Sequence, residues 1–231
     1  MRLKIATLNG AMISGPPGAD EGTGRQQNGG RDDASRDDTK ARLIALKAEI
    51  PQLRVLGHRK NSGQSRAVRS GVLAARGPIV ITLDGDGQND PADAPRLAKA
   101  LAAGPASLAL VGGERVKRQD SNAKRFASKF GNGVRKRLLK DTANDTGCGL
   151  KAFRREAFLR LPYFDHIHRY LPALVIREGF ENRYLDVGHR HRETGRSKYT
   201  NWGRLVASLS DLLGVMWLKR RSRRPGAVSE F

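Results

Sequence analysis

Residues 79–91 read IVITLDGDGQNDP, an unbroken apolar run that stops at two aspartates separated by one glycine. Ile79, Val80, Ile81 and Leu83 are the β-branched and aliphatic residues of a strand covered on both faces, fed by the turn ARGP before it. Asp84 and Asp86 then stand at the carboxyl end of that strand, the edge of an open parallel sheet where loops and helix amino termini converge on ligands. Carboxylates at i and i+2 of an extended stretch point the same way, and Gly85 between them leaves room for an ion. Oxygen ligands of this kind suit Mg²⁺ or Mn²⁺, with diphosphate oxygens completing the shell. A turn capped by aspartates, with no ion, is the alternative reading of these few residues.

The surrounding pattern supplies the layers such a strand needs. DDTKARLIALKAEIPQ reads as a helix with Leu43, Leu46 and Ile50 on one face, ended by Pro51. LRVLGH reads as a short strand, NSGQSRAVRSGVLAARG as a helix opened by a glycine turn, and PADAPRLAKALAAG as a helix with proline in its first turn. With ASLALVGGER as a further strand, the alternation predicts an α/β fold with parallel connections. The second half is more basic: KRFASKFGNGVRKRLLK is a cationic helical stretch, and NDTGCGLKAFRREAFLRL is a glycine turn leading into a short strand and a helix. RYLPALVIREGFENRYLDVGHRHRE gives a buried helix and another strand.

With 43 basic and 23 acidic residues among 231, the chain carries a net charge of +20, which attracts nucleic acid, nucleotide diphosphates or acidic lipid headgroups. Basic residues are dispersed, aromatic content is only 6%, and no nucleic-acid motif is present, so nucleic acid is not the expected partner. The single cysteine, Cys148, excludes an internal disulfide and fits a reducing compartment. No apolar run approaches the roughly 20 residues needed to span a bilayer, and the start lacks the apolar core of a signal peptide, so a cytoplasmic location is expected.

Four stretches occur in a telling order: RDDASRDDT at 31–39, GQSRAVRSGVLAARGPIVITLDGDGQNDP at 63–91, NDTGCGLKAFRRE at 144–156 and HRETGRSKY at 191–199. Together they resemble glycosyltransferase family two, in its polyprenyl-phosphate, dolichol-phosphate mannose synthase-like branch, over about residues 32–220. The resemblance implies a GT-A-like, Rossmann-like nucleotide-sugar-binding domain, a divalent ion at the D-x-D and transfer of a sugar with inversion to a polyprenyl phosphate. It assigns Asp84, Asp86 and Gln88 to the metal, Asp32, Asp33 and Asp84 to the nucleotide, and Arg192 and Lys198 to the diphosphate. Asp145, in the acidic position before TGCG, is placed near the acceptor as the catalytic candidate; an aspartate that merely caps the turn is the alternative.

The family's opening strand, with a P-x-Y-N-E-like motif, has no counterpart, and Ala34 replaces a glycine of the acidic motif. GRQQNGGR before Asp32 offers no strand pattern, so residues 1–31 are expected to be disordered or non-native, the remainder of a damaged or frameshifted start. Residues 32–200 are then the GT-A-like domain, and 201–231 an amphipathic helix with a basic tail. On this reading a catalytically inactive remnant is the first rival to an active enzyme, and a basic nucleic-acid-binding protein the second.

Two features remain. His166 with His168, and His189 with His191, are spaced to share a strand face, which permits zinc, but no cysteine or carboxylate cluster completes a tetrahedral set and solvated or hydrogen-bonded histidines are expected. Near the end, Trp202, Leu205, Val206, Leu209, Leu212, Leu213, Met216 and Trp217 recur at helical spacing and precede Lys219, Arg220, Arg221, Arg223 and Arg224. At about 1.5 Å per residue the stripe is roughly 24 Å long, which suits a helix lying in an anionic membrane interface, peripheral at the inner face of the cell membrane. A helix packed on its own domain is the other reading.

Overall fold

The computed structural model describes residues 11–14, 27–32, 39–50, 52–85, 87–115, 133, 135–188 and 201–223. Strands β1 (Ala11–Ser14), β2 (Gln27–Asp32), β3 (Leu53–Gly57), β4 (Ile79–Leu83), β5 (Leu108–Arg115), β6 (Lys151–Arg154) and β7 (Glu181–Val187) form one sheet in the order β3-β2-β1-β4-β6-β5-β7. Helices α1 (Thr39–Glu49), α2 (Gly63–Ala74), α3 (Ala94–Ala102), α4 (Arg155–Arg160), α5 (Ile167–Arg177) and α6 (Asn201–Arg220) accompany it, with a short helical stretch at 135–139.

The α/β class stands, but the connections are not all parallel. β2 pairs parallel with β3 and β5 with β7, whereas β1 is antiparallel to β2 and β4, and β6 antiparallel to β4 and β5. It follows that β2, β3, β4, β5 and β7 run one way and β1 and β6 the other. The β3-α2-β4 crossover keeps its direction as the alternation predicts; its two strands are simply separated by β1 and β2. This arrangement decides where the site lies. The carboxyl ends of β2, β4, β5 and β7 and the amino end of β6 share one edge, where Asp32, Asp84, Arg115, Gly188 and Lys151 emerge.

The strands β1 and β2 correct the expectation that nothing before residue 32 is ordered into a strand. Ala11–Ser14 pairs with Val80–Leu83, and Asn28–Asp32 with Leu53–Gly57. Strand pairing is made by main-chain N–H and C=O groups, which glycine and glutamine carry as well as valine does. β2, QNGGRD, pairs with β3 in spite of side chains that offer no strand pattern, a case of context overriding propensity.

β4 is buried along its whole length, and its side chains alternate between two cores. Ile79, Ile81 and Leu83 pack with Leu97 and Leu101 of α3, with Leu108 and Val111 of β5, and with Leu150. On the opposite face Val80 joins Val68 and Val72 of α2, Phe153, Phe158, Leu171 and Leu174. Phe153 and Phe158 stack with ring centroids 5.0 Å apart, which seats α4 immediately after β6.

α6 docks on α5. Val215 is fully buried, and Leu212, Met216 and Leu218 pack against the α5 core. Polar contacts fix the pair: Tyr170 Oη donates to the Ser208 carbonyl at 3.1 Å, Arg177 Nε to the Leu218 carbonyl at 3.1 Å, and His166 Nδ1 meets Asp211 Oδ2 at 2.8 Å. The apolar stripe read from the sequence is thus split between two faces. Leu209, Leu213 and Trp217 remain 57%, 59% and 59% exposed, which leaves an apolar ridge one residue in four along the outside of the helix. No described helix is long and apolar enough to cross a membrane.

Candidate active site

Asp84 follows the last residue of β4 and is half-buried. Its Oδ1 accepts a hydrogen bond from Gln64 Nε2 at 3.2 Å. Gln64 reaches it because α2 opens at Gly63, whose φ of +79° is a left-handed conformation that glycine adopts without strain. On its other side Asp84 lies against Gly149: a Cβ at that position would fall inside the carboxylate. The last glycine of TGCG is therefore a spatial requirement of the D-x-D motif, 65 residues earlier in the chain.

The loop 141–149 that delivers Gly149 is held by cations. Arg135 donates to the Thr146 hydroxyl, to the Ala143 carbonyl at 2.5 Å and to Asp141 Oδ1 at 3.1 Å. Arg115, from the end of β5, grips Asp145 with Nε at 2.5 Å and Nη2 at 2.8 Å, and Asp145 Oδ1 also accepts from the Gly147 N–H at 3.2 Å. Lys151, the first residue of β6, donates to the carbonyls of Cys148 and Thr146. Burial pushes its ammonium below the usual lysine value, opposed by the nearby Cys148, Asp84 and Asp145.

Between Asp84, this loop and α5 lies a cavity of about 230 Å³. Gln64, Thr82, Asp84, Lys151, His168 and Arg169 supply its polar lining, and Val68, Leu83 and Leu171 part of its apolar wall. His168 Nδ1 and the Ser65 hydroxyl are 2.8 Å apart, which ties α5 to the start of α2. Burial, then the charges of Arg169, Lys151 and His166, push the imidazole down to about 3, so it is neutral at ordinary pH. Cys148 is buried and its thiol is pushed up by desolvation, the opposite of an activated thiolate.

Of the metal, nucleotide, diphosphate and catalytic residues that the resemblance implies, Asp84, Gln88 and Asp145 are fully described. Asp84 lines the cavity, and Gln88 follows it in the same loop, half-buried. Asp145 does not line the cavity; its carboxylate is engaged by Arg115 and by the turn it closes. Asp32 ends β2 at the same sheet edge, its side chain outside the described set. Asp33, Asp86, Arg192 and Lys198 lie outside the described residues, as do His189 and His191. His166 and His168 do not share a site: one meets Asp211, the other Ser65. His166 precedes α5 with φ +65°, which breaks the extended alternation that would have aligned them. The sequence reading missed Gln64, Lys151, Arg115 and Arg169; for His168 it preferred a solvated or hydrogen-bonded histidine to a zinc ligand, and the ring is hydrogen-bonded to Ser65. Lys151 carried the one usable signal, a lysine two residues after TGCG in a run otherwise bound for the core.

The profile of glycosyl transferase family 2 matches residues 31–161, which contain the D-x-D, the TGCG turn and the cations around it. The chain belongs to this family. It is 33% identical over 176 residues to a dodecaprenyl-phosphate galacturonate synthase of Rhizobium johnstonii, covering 75% of this chain and 52% of that protein. It is 35% identical over 205 residues to an undecaprenyl-phosphate 4-deoxy-4-formamido-L-arabinose transferase of Shewanella sediminis, covering 87% and 60%. The chain therefore spans about half to three-fifths of the length of these relatives. Among solved structures it resembles glucosyl-3-phosphoglycerate synthase of Mycobacterium tuberculosis in complex with Mn²⁺, UDP and glucosyl-3-phosphoglycerate, with a TM-score of 0.60 at 18% identity, over 83% of this chain and 67% of that one. The fold is that of the GT-A glycosyltransferases.

Proposed function

We propose that this family 2 chain transfers a sugar, with inversion, from a nucleotide-diphosphate sugar to a polyprenyl phosphate or related membrane-associated acceptor. The relatives' named substrates support the acceptor, and the Mn²⁺ and UDP of the structural neighbour support the donor. The observation that carries the reading is the Asp84 carboxylate at the end of β4, held by Gln64 and left uncrowded by Gly149, in a cavity that Lys151 and Arg169 also line. Asp84 is the carboxylate there, Arg169 a cation, Lys151 an amine whose ammonium form burial disfavours, and His168 is kept neutral with a pKa near 3. A hydroxyl acceptor would need a general base with a pKa near the working pH, whereas a lipid phosphate is already anionic.

Asp84, Asp86 and Gln88 would hold Mg²⁺ or Mn²⁺, an oxygen donor set that suits either ion and that would supply positive charge to the leaving diphosphate. The Asp84 carboxylate fits that role: one oxygen is steadied by Gln64 while Gly149 leaves it uncrowded. Asp32 and Asp33 bind the nucleoside, and Arg192 and Lys198 hold the diphosphate as the anomeric bond breaks. Asp145 acts by shaping the loop that backs Asp84. Residues 32–200 form the catalytic unit, to which β1 and β2 contribute backbone pairing. The ridge Leu209, Leu213 and Trp217, followed by Arg220, Arg221 and Arg223, seats α6 against an anionic membrane surface on the cytoplasmic side.

Calorimetry of UDP binding with and without Mn²⁺ tests the core of this reading. Binding that requires Mn²⁺ and disappears in Asp84→Ala is expected; equal affinity with and without the ion in the parent protein would remove the metal-dependent donor site.

A further inference from the structure

We propose that His168, oriented by Ser65, is a residue that hydrogen-bonds the sugar ring of the donor and so determines which sugar the site accepts. This deepens the donor-site reading above and rests on it. The cavity of about 230 Å³ is smaller than the roughly 300–1,000 Å³ of pockets that enclose a whole small-molecule ligand, so it takes one moiety and not an entire nucleotide sugar. Asp84 forms one wall, and the moiety next to a diphosphate held at Asp84 is either the nucleoside or the sugar. The nucleoside side belongs to the edge strands β2 and β3, where Asp32 emerges; the cavity lies on the other side, toward the 146–149 turn and α5.

His168 is one of two α5 residues in that wall. Its Nδ1 meets the Ser65 hydroxyl at 2.8 Å, which leaves Nε2 as the ring nitrogen not engaged by Ser65. Fixing one ring nitrogen by a neighbour is how a protein presents the other to a ligand in a single tautomer and orientation. Ser65 is itself buried, at 3% exposure, and sits two residues after the left-handed Gly63 that sets Gln64 against Asp84. One short stretch of α2 therefore aims both Gln64 at Asp84 and, through Ser65, His168 at the cavity. A neutral imidazole donates or accepts one hydrogen bond, which matches a sugar hydroxyl. Removing such a buried partner leaves the hydroxyl unpaired, and sites built this way discriminate strongly between sugars that differ at one position.

The test compares UDP with UDP-glucose and UDP-galacturonate in Mn²⁺, by calorimetry on the full chain. UDP reports the nucleotide and the ion; the difference between UDP and a UDP-sugar reports the sugar alone. In His168→Ala the expectation is UDP affinity within twofold of the parent, which also shows that the variant folds. The better-bound UDP-sugar should weaken about tenfold, with part recovered in His168→Gln, whose amide reaches the place of Nε2. Ser65→Ala should lower UDP-sugar affinity less, again without moving UDP. Equal losses for UDP and UDP-sugar, or no loss for either, would overturn the role of His168 while leaving the donor site standing. Failure of the parent to bind UDP at all would instead overturn the donor-site reading, and this inference with it.

Discussion

His168 also makes the fold sensitive to acid in a way that can be isolated. Its imidazole is pushed down to about 3 by burial first and then by the charges of Arg169, Lys151 and His166, against 6.5 for a free histidine. The folded state thus holds the ring neutral while the unfolded chain takes up a proton below pH 6.5, so this contribution to stability is complete above 6.5 and is lost progressively as pH falls toward 3. Between pH 7.5 and pH 5 the loss is fixed by the unfolded value: about 1.5 pH units at 1.36 kcal/mol each, or about 2 kcal/mol. It does not depend on how far below 4 the folded value lies, which matters because the ring keeps some exposure to the cavity. Urea unfolding at the two pH values measures it in the parent and in His168→Gln, which keeps a polar side chain but cannot titrate. The parent should lose about 2 kcal/mol more than the variant, roughly thirtyfold in the unfolding constant. The His166–Asp211 pair, which faces the same helix end, is common to both proteins and cancels in the difference. An identical pH dependence in parent and variant would show that His168 is not held neutral, and the burial argument would fail.

Gly149→Ala should abolish Mn²⁺-dependent UDP binding while leaving the chain folded, because the new methyl group displaces the Asp84 carboxylate; calorimetry and a thermal melt on the same sample read the two effects. Asp145→Asn should destabilise the protein by about 3–5 kcal/mol in urea unfolding, since Arg115 and Asp145 are 13% and 9% exposed and the variant removes the carboxylate charge that faces the buried guanidinium. Replacing both with Met and Leu should recover most of that loss. On α6 the two faces should separate: Leu209→Ser with Leu213→Ser and Trp217→Ser should reduce flotation with anionic vesicles and leave the melting temperature unchanged. Val215→Ala should cost about 2 kcal/mol of stability without affecting flotation, and a vesicle-indifferent parent would assign the ridge to another partner.

What the sequence determined was local. The apolar run 79–83, its two-faced burial and the aspartate at its end follow from side-chain type and a period of two, and each is where the residues place it. The helices α1, α2 and α3 were legible in the same way, from apolar spacing, a glycine opening and a proline in the first turn. What only the tertiary structure decided was pairing across the chain. β1 and β2 are held by main-chain groups, which no side chain reports, and the mixed directions of the sheet depend on which edge each strand meets. For Asp145 the residues left two readings, an acidic group near the acceptor and a cap on the glycine turn; the cap contact to Gly147 is present, and Arg115, 30 residues earlier, is a partner that no local pattern reports. The same holds for His168. Its neighbour Ser65 lies 103 residues away, and whether an imidazole is a ligand to zinc, a base or a fixed hydrogen-bonding group is set by burial and by that partner, quantities that exist only once the chain has folded.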